Sequence, residues 1–344
     1  MSLANKLQQA WNDQAPWLVL LRPLSLLYRS LFAINKQLYQ SGVKQVYRAP
    51  VPIMVIGNIT VGGSGKTPLI IQLVKHLQAQ GVRVGVISRG YGGEGPFPSL
   101  VTAEHTAAQV GDEPALIVQE THVPMAVGPN RQASIELLLS KYELDLILSD
   151  DGLQHFALAR DIEWIVLDGQ RGLGNQQLLP EGYLREPATR LEGATVIEHR
   201  HPAQTALSMH LAAGQPYCLN PEVLGKHGNA GAFDAQTAYQ ALVGIGYPER
   251  FYRTLSDQGI QIKSKHAFAD HYAYTADDLK QLDAAPIITT AKDAVKLQQL
   301  LKHMDAFAQP IWVLPVEAQL SNAVYELLEQ QLKQFHIQFQ KVSS

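Results

Sequence analysis

The chain has 344 residues, 46% of them hydrophobic and 17% charged, with 26 Gly and 19 Pro. That length exceeds the roughly 250 to 300 residues over which one core grows, so two domains are expected, and the composition excludes a disordered chain, a collagen-like repeat and a coiled-coil rod. A single cysteine, Cys218, excludes an internal disulfide and a thiolate cage for zinc or iron–sulfur, which points to a reducing compartment. The net charge of -3 is unevenly placed: residues 1–93 carry ten Lys or Arg against one carboxylate, Asp13, and the remainder is acidic. A basic first quarter predicts an anionic partner there, phosphate groups or a lipid surface, and the acidic remainder argues against bulk nucleic-acid binding.

Residues 17–34, WLVLLRPLSLLYRSLFAI, form the most apolar stretch, interrupted by Arg22, Pro23 and Arg29. A spanning helix needs about 20 nearly uncharged residues, and a central Arg costs about 2.5 to 3.5 kcal/mol on insertion scales, so spanning is disfavoured. The order of charge, apolar run and small residues that marks a signal peptide is absent, so the segment is expected to be retained. From Leu24, apolar residues recur at Leu27, Tyr28, Leu31, Ile34 and Leu38, and Arg22, Arg29 and Lys36 would form a basic stripe beside them in an unbroken helix. Residues 1–48 are therefore read as an N-terminal amphipathic helix segment for a headgroup layer, with packing against its own domain as the competing reading.

After Pro50, short apolar strands alternate with helices. Strands are predicted at 51–57, 82–88, 123–127, 144–149, 161–167 and 194–198, with helices at 67–80 and 131–142, which is the rhythm of a parallel sheet covered on both faces. Residues 201–235 lose that rhythm and read as a connector with room for a hairpin. It resumes with strands at 239–245, 261–268, 286–290 and 311–315 and helices at 248–258, 275–284, 291–302 and 320–335. The expected fold is α/β: a P-loop NTPase-like parallel-sheet domain over 49–200 and a second, smaller α/β domain over 236–344.

Between the first strand and helix lies Thr60-Val61-Gly62-Gly63-Ser64-Gly65-Lys66-Thr67, a G-x-x-x-x-G-K-[ST] phosphate loop with Thr60 at the first glycine position. Its glycines let backbone N–H groups turn toward phosphates, the helix offers its positive end, Lys66 reaches the terminal phosphates and Thr67 offers a hydroxyl to Mg²⁺. The 144–149 strand runs into Asp150-Asp151, where P-loop enzymes hold the metal through an acidic residue; either or both would serve. Gly111-Asp112-Glu113-Pro114 opens a helix with Asp112 as a natural N-cap. Arg89, Tyr91, Arg131, Gln154, His155, Arg185 and Glu186 fall in loops after strands, where a ligand crevice forms and basic groups can neutralise phosphate charge.

These motifs, with Ser88-Arg89-Gly90-Tyr91-Gly92, Asp150-Asp151-Gly152-Leu153-Gln154-His155, Leu184-Arg185-Glu186-Pro187, Pro248-Glu249-Arg250-Phe251, Asp270-His271 and Thr289-Thr290-Ala291-Lys292-Asp293, resemble the tetraacyldisaccharide 4'-kinases, the lipid A 4'-kinases of Gram-negative bacteria, over nearly the whole chain. The resemblance implies ATP-dependent phosphorylation, with Mg²⁺, of the 4'-hydroxyl of a tetraacyl glucosamine disaccharide 1-phosphate by a peripheral enzyme at the cytoplasmic face of the inner membrane. It implies no nucleic acid and no obligate protein partner. It also implies a base dyad of Asp112 and His271 that forms when two domains close, a phosphate-side role for Lys66, phosphate or substrate contacts from Arg89, Tyr91, Arg131, Gln154, His155 and Arg185, and metal-side roles for Thr67, Asp150, Asp151 and Glu186. Ala291 stands where that family's pattern suggests an acid. The alternatives are a P-loop GTPase, whose N/T-K-x-D element fails here because Lys292 and Asp293 are adjacent, and a nucleotide-switched membrane adaptor, which would tolerate loss of Asp112 or His271.

Overall fold

The computed structural model describes residues 3–226, 231–304, 307–337 and 339; the other positions within the expected ranges 1–48, 201–235 and 236–344 lie outside the described residues. The strands are β1 (Ile53–Gly57), β2 (Val84–Ser88), β3 (Ser99–Val101), β4 (Met125–Val127), β5 (Leu146–Asp150), β6 (Ile162–Asp168), β7 (Thr195–His199), β8 (Ser208–Ala213), β9 (Tyr217–Cys218), β10 (Tyr239–Val243), β11 (Ile262–Ala267), β12 (Ile287–Thr290), β13 (Ile311–Leu314) and β14 (Val316–Leu320). The α-helices are α1 (Leu3–Asn12), α2 (Arg22–Gln40), α3 (Lys66–Ala79), α4 (Ala107–Val110), α5 (Asp112–Thr121), α6 (Arg131–Leu139), α7 (Pro248–Asp257), α8 (Ala276–Lys280), α9 (Ala291–Lys302) and α10 (Asn322–Lys333).

Every residue of β1, β2 and β5 is buried, as apolar runs must be when helices cover both faces of a sheet. The large sheet has the order β14-β8-β7-β6-β1-β5-β2-β4-β3, parallel except at its two edges, where β3 opposes β4 and β14 opposes β8. Helix α3 leaves β1 through the phosphate loop and buries Leu69, Ile70, Leu73, Val74 and Leu77 completely, each worth about 1.5 to 3 kcal/mol relative to exposure. The smaller sheet, β11-β10-β12-β13-β9, is parallel but for β9 and carries its own core around Tyr239, Phe251, Leu255 and Trp312. The carboxyl ends of β1, β5 and β10 meet at one cavity, which is the crevice where open α/β sheets bind ligands.

The structure differs from the sequence expectation in the second half. Residues 201–235 form no β8–β9 hairpin: β8 pairs parallel with β7 in the large sheet, whereas β9 pairs with β13 in the small one. The small unit also ends before the chain does. After Pro315 the backbone returns as β14 to β8, and α10 buries Val324, Leu328 and Leu332 in the core of the first unit, where Gln331 accepts the indole N–H of Trp164 at 2.8 Å. The 236–344 span is thus divided between the two units. Short strands such as MHLAA and VEAQL carry no periodicity of their own that names the sheet they join.

The N-terminal segment also departs from its expected geometry. Pro23 falls in the first turn of α2, where its missing N–H breaks no helical bond, so the helix runs unbroken. Arg22, Ser25, Tyr28 and Phe32 form one docked edge. Arg22 pairs with the buried Glu181 at 2.8 Å, Ser25 Oγ donates to the Leu178 carbonyl at 3.0 Å, Tyr28 Oη donates to the Arg185 carbonyl at 2.9 Å, and Phe32 meets the Phe156 ring edge-on at 5.6 Å. Arg22 and Tyr28 therefore leave the stripe and the apolar face expected of them, because that side of the helix is turned to the protein. Leu20, Leu24, Leu26, Leu27, Leu31 and Ile34 point outward, each more than half exposed.

Candidate active site

The phosphate loop owes its shape to two glycines. Gly62 and Gly65 have φ of +100° and +96°, and a Cβ on Gly65 would lie 2.6 Å from Met209 and 2.9 Å from His199. Thr60 needs no glycine: its φ is not positive, it bridges Leu184 in extended form, and its hydroxyl accepts from Asn58 Nδ2 at 3.2 Å. The loop is braced from behind by His199, whose Nδ1 lies 2.9 Å from the Ser64 carbonyl, with burial, aided by nearby Arg250, holding that imidazole down at about 4. Lys66 donates to Asn58 Oδ1 at 3.1 Å and lies 3.7 Å from Asp151 Oδ1.

Beside the loop, β5 delivers the two aspartates into different settings. Asp150 is buried, receives the Ser88 hydroxyl at 3.0 Å on Oδ2, and leaves Oδ1 without a hydrogen-bond partner. Burial, reinforced by the charges of Glu113 and Asp151, pushes its carboxyl up to about 7. Asp151, at φ +48°, turns to Arg185, which donates to both of its oxygens at 2.9 Å and to the Asn58 carbonyl at 3.0 Å. Burial works against the Asp151 charge, but Lys66 and Arg185 outweigh it and hold the carboxyl far below the usual range. Buried Arg131 donates to the Asp150 carbonyl at 3.0 Å, and burial lowers it to about 10.

Across the cavity, Gly111 rather than Asp112 occupies the N-cap of α5, with φ +95°, and a Cβ there would strike the Tyr91 carbonyl at 2.6 Å. Asp112 is the first helical residue, at the positive end of the helix, where its Oδ1 accepts the Glu113 N–H at 2.9 Å. Its Oδ1 meets His271 Nδ1 at 2.8 Å, and Lys292 and Lys296 approach Oδ2 at 3.9 and 3.7 Å. Burial raises the Asp112 pKa, but the imidazole bond and the lysines outweigh it and hold the carboxyl at about 2. Burial lowers His271, and the bond to Asp112 more than compensates, so the imidazole sits above its ordinary value. His271 lines the cavity; Asp112, 4% exposed, stands behind it. Tyr91 packs edge-on against the imidazole at 5.0 Å.

The shared cavity has a volume of about 970 Å³ and is walled by the phosphate loop, the ends of β5 and β10, and the Asp270-His271 loop. The model of the tetraacyldisaccharide-1-P 4'-kinase (LpxK) family matches residues 17–333. The chain belongs to this family. The Tetraacyldisaccharide 4'-kinase of Psychrobacter cryohalolentis is 47% identical over 98% of both chains, and that of Azotobacter vinelandii is 45% identical over 94% of this chain and 95% of its own. Among solved structures, the crystal structure titled as the "apo" form of Aquifex aeolicus LpxK in complex with ATP aligns with a TM-score of 0.72 at 26% identity, over 93% of this chain and 99% of that one.

Within this kinase, the tertiary structure gathers Thr60 through Thr67, Arg89, Tyr91, Arg131, Asp150, Asp151, Gln154, His155, Arg185 and His271 on the cavity wall. Glu186 is held away from that wall: it is 1% exposed, accepts from Gln154 Nε2 at 2.7 Å and pairs with Arg190 at 3.3 Å. The sequence reading gave no role to Lys296, and none to Lys292 beyond its failed GTPase spacing. Both stand four apart on α9, so one face of that helix presents two ammonium groups to Asp112. Asn58, a residue that no motif above includes, is buried between Lys66, Thr60 and Arg185 and ties the first strand to the phosphate end. Asp293 is consumed inside the small unit by Gly244 N, Tyr274 Oη and Lys296, which leaves it no base to read and disposes of the GTPase alternative.

Proposed function

We propose that the Asp112–His271 dyad takes the proton of the attacking hydroxyl as this tetraacyldisaccharide 4'-kinase of lipid A biosynthesis passes the γ-phosphate of ATP to its lipid disaccharide. The hydroxyl oxygen, the 4'-hydroxyl of a tetraacyl glucosamine disaccharide 1-phosphate, bonds to the γ-phosphorus; the bond to the β,γ-bridging oxygen breaks, and ADP leaves with the electron pair. The proton goes to His271 Nε2, and Asp112 orients the ring and balances the imidazolium. The observation that carries this reading is the 2.8 Å contact itself, made between α5 of one unit and a loop of the other, with the imidazole on the wall it shares with Lys66. Lys66, Arg89, Arg131 and Arg185 supply positive charge for the phosphates, and Tyr91, Gln154 and His155 line the acceptor side.

Thr67, Asp150 and Asp151 fit a Mg²⁺ ion: Asp150 Oδ1 is buried without a partner, and the crowding of carboxylates that raises its pKa is what a cation relieves. When bound, such an ion would neutralise negative charge on the phosphate oxygens. Glu186, already engaged by Gln154 and Arg190, stands outside these ligands.

The test follows radiolabel from ATP to the lipid disaccharide as a function of pH. An imidazole must be neutral to accept a proton, and His271 is shifted upward, so turnover should rise as pH climbs through a value above 6.5. If Asp112, held at about 2, took the proton directly, the profile would be flat from pH 5 upward, and the imidazole's role would have to be abandoned.

A lipid acceptor, together with the exposed leucines of α2, supports a peripheral enzyme at the cytoplasmic face of the inner membrane. By length and composition Pro16–Gln40 could cross a bilayer, but its docked edge is bonded to the protein at Arg22, Ser25 and Tyr28, which favours lying in the headgroup layer with the leucines down. Changing Leu24, Leu27 and Leu31 together to serine should reduce co-sedimentation with anionic phospholipid vesicles by roughly tenfold or more. The melting temperature should hold, because these side chains are already exposed. Undiminished sedimentation would remove the helix as the anchor.

A further inference from the structure

The loop over residues 178–185 has two edges with different neighbours. On one edge it is held by α2: Ser25 Oγ donates to the Leu178 carbonyl at 3.0 Å and accepts the Glu181 N–H at 2.8 Å, Arg22 pairs with the Glu181 carboxylate at 2.8 Å, and Tyr28 Oη donates to the Arg185 carbonyl at 2.9 Å. On the other edge it is stitched to the phosphate loop. Val61 N donates to the Tyr183 carbonyl at 2.8 Å, Thr60 bridges Leu184, and Arg185 N donates to the Ile59 carbonyl at 2.7 Å. The Arg185 guanidinium then reaches Asp151 and Asn58 at the nucleotide end.

We infer that Tyr28 and Ser25 are positioning residues for Arg185 and the phosphate loop, so that the helix carrying the exposed leucines also sets the geometry of phosphoryl transfer. The inference rests on the reading of Arg185 as a phosphate-side group. Its physical basis is that the same 178–185 backbone cannot shift toward α2 without moving the partners of Val61, Thr60 and Ile59. An arginine that donates to both oxygens of a carboxylate is sensitive to displacements well under 1 Å. Glu181 and Ser25 are both buried at the junction, which makes the seat of α2 specific in register and not a loose apolar contact. The leucines on the opposite side of the helix make no part of this seat, so vesicle binding and positioning are separable by substitution.

Tyr28→Phe removes one hydroxyl and keeps the ring against Phe32. With ATP and lipid acceptor, kcat should fall roughly three- to tenfold, the effect of one lost hydrogen bond, while KM for ATP and vesicle binding stay within about twofold. In an Arg185→Lys background the same substitution should have no further effect beyond about twofold, because the geometry it protects is already gone. Ser25→Ala, read in the same way, replaces Tyr28→Phe should the latter not fold. A kcat within twofold of the unaltered enzyme, a loss residing wholly in KM, a loss that tracks vesicle binding, or an equal loss in the Arg185→Lys background overturns the inference. Lys66→Ala and Asp112→Ala run in the same assay separate the two levels: if they stay active, the reading of the site itself fails, whereas if they lose activity and Tyr28→Phe does not, only this inference falls.

Discussion

Lys66→Ala should lower phosphoryl transfer by roughly 10³-fold or more, the scale on which a group stabilising transition-state charge acts, and leave a cooperatively folding protein. The ammonium stands at the first turn of α3 and is positioned by Asn58 at 3.1 Å and Asp151 at 3.7 Å, both at the place where negative charge must accumulate. Removing it subtracts one cation from a group that also contains Asp150, Asp151 and Glu113. Asp151 keeps its two bonds to Arg185 and Asn58 keeps its bonds to Thr60 and Arg185, so the surrounding structure has other partners. The measurement is single-turnover transfer at saturating ATP together with a thermal melt. Near-normal transfer in a folded variant would show that the loop grips something other than the nucleotide's terminal phosphates.

Asp112→Ala should reduce kcat by roughly 10² to 10⁴ and change ATP affinity by no more than a few-fold. The asymmetry follows from position: Asp112 contacts His271 and faces two lysines, but none of its neighbours belongs to the phosphate loop. Loss of the carboxylate leaves His271 without its orienting acceptor and removes the charge that balances an imidazolium. The lysines are not stranded, because Lys292 retains Glu113 at 2.9 Å and Asp270 at 3.3 Å, and Lys296 retains Asp293 at 2.9 Å. The fold should therefore survive. Equal losses in kcat and in ATP binding, measured by turnover and by equilibrium titration of nucleotide, would place Asp112 in the nucleotide pocket and refute its part in the dyad.

The two variants separate the halves of the site. One lies on the phosphate loop, and the other on a contact between the two units. The inter-unit link at Asp112–His271 is joined by Lys292 to Glu113 and by Arg250 to Asp168, and α9 adds an apolar contact by burying Val295 in the core of the first unit.

Local sequence carried the phosphate loop, because Gly62 and Gly65 are needed for backbone geometry and Lys66 and Thr67 for charge and hydroxyl, all within eight adjacent residues. It also carried the alternation of buried strands and helices, since full burial on both faces demands uninterrupted apolar runs. What it could not carry was anything assembled from distant segments. His271 and Asp112 are 159 positions apart, and burial, their bond to each other and charged neighbours brought in from α9 and Asp270 shift both of them. The return of β14 and α10 to the first unit, and the choice of which side of α2 faces the protein, are likewise decided by partners that short, weakly patterned segments do not name. The composition of a segment fixes what it can bury, but the tertiary structure decides against what, and that is where the electrostatics of this kinase are made.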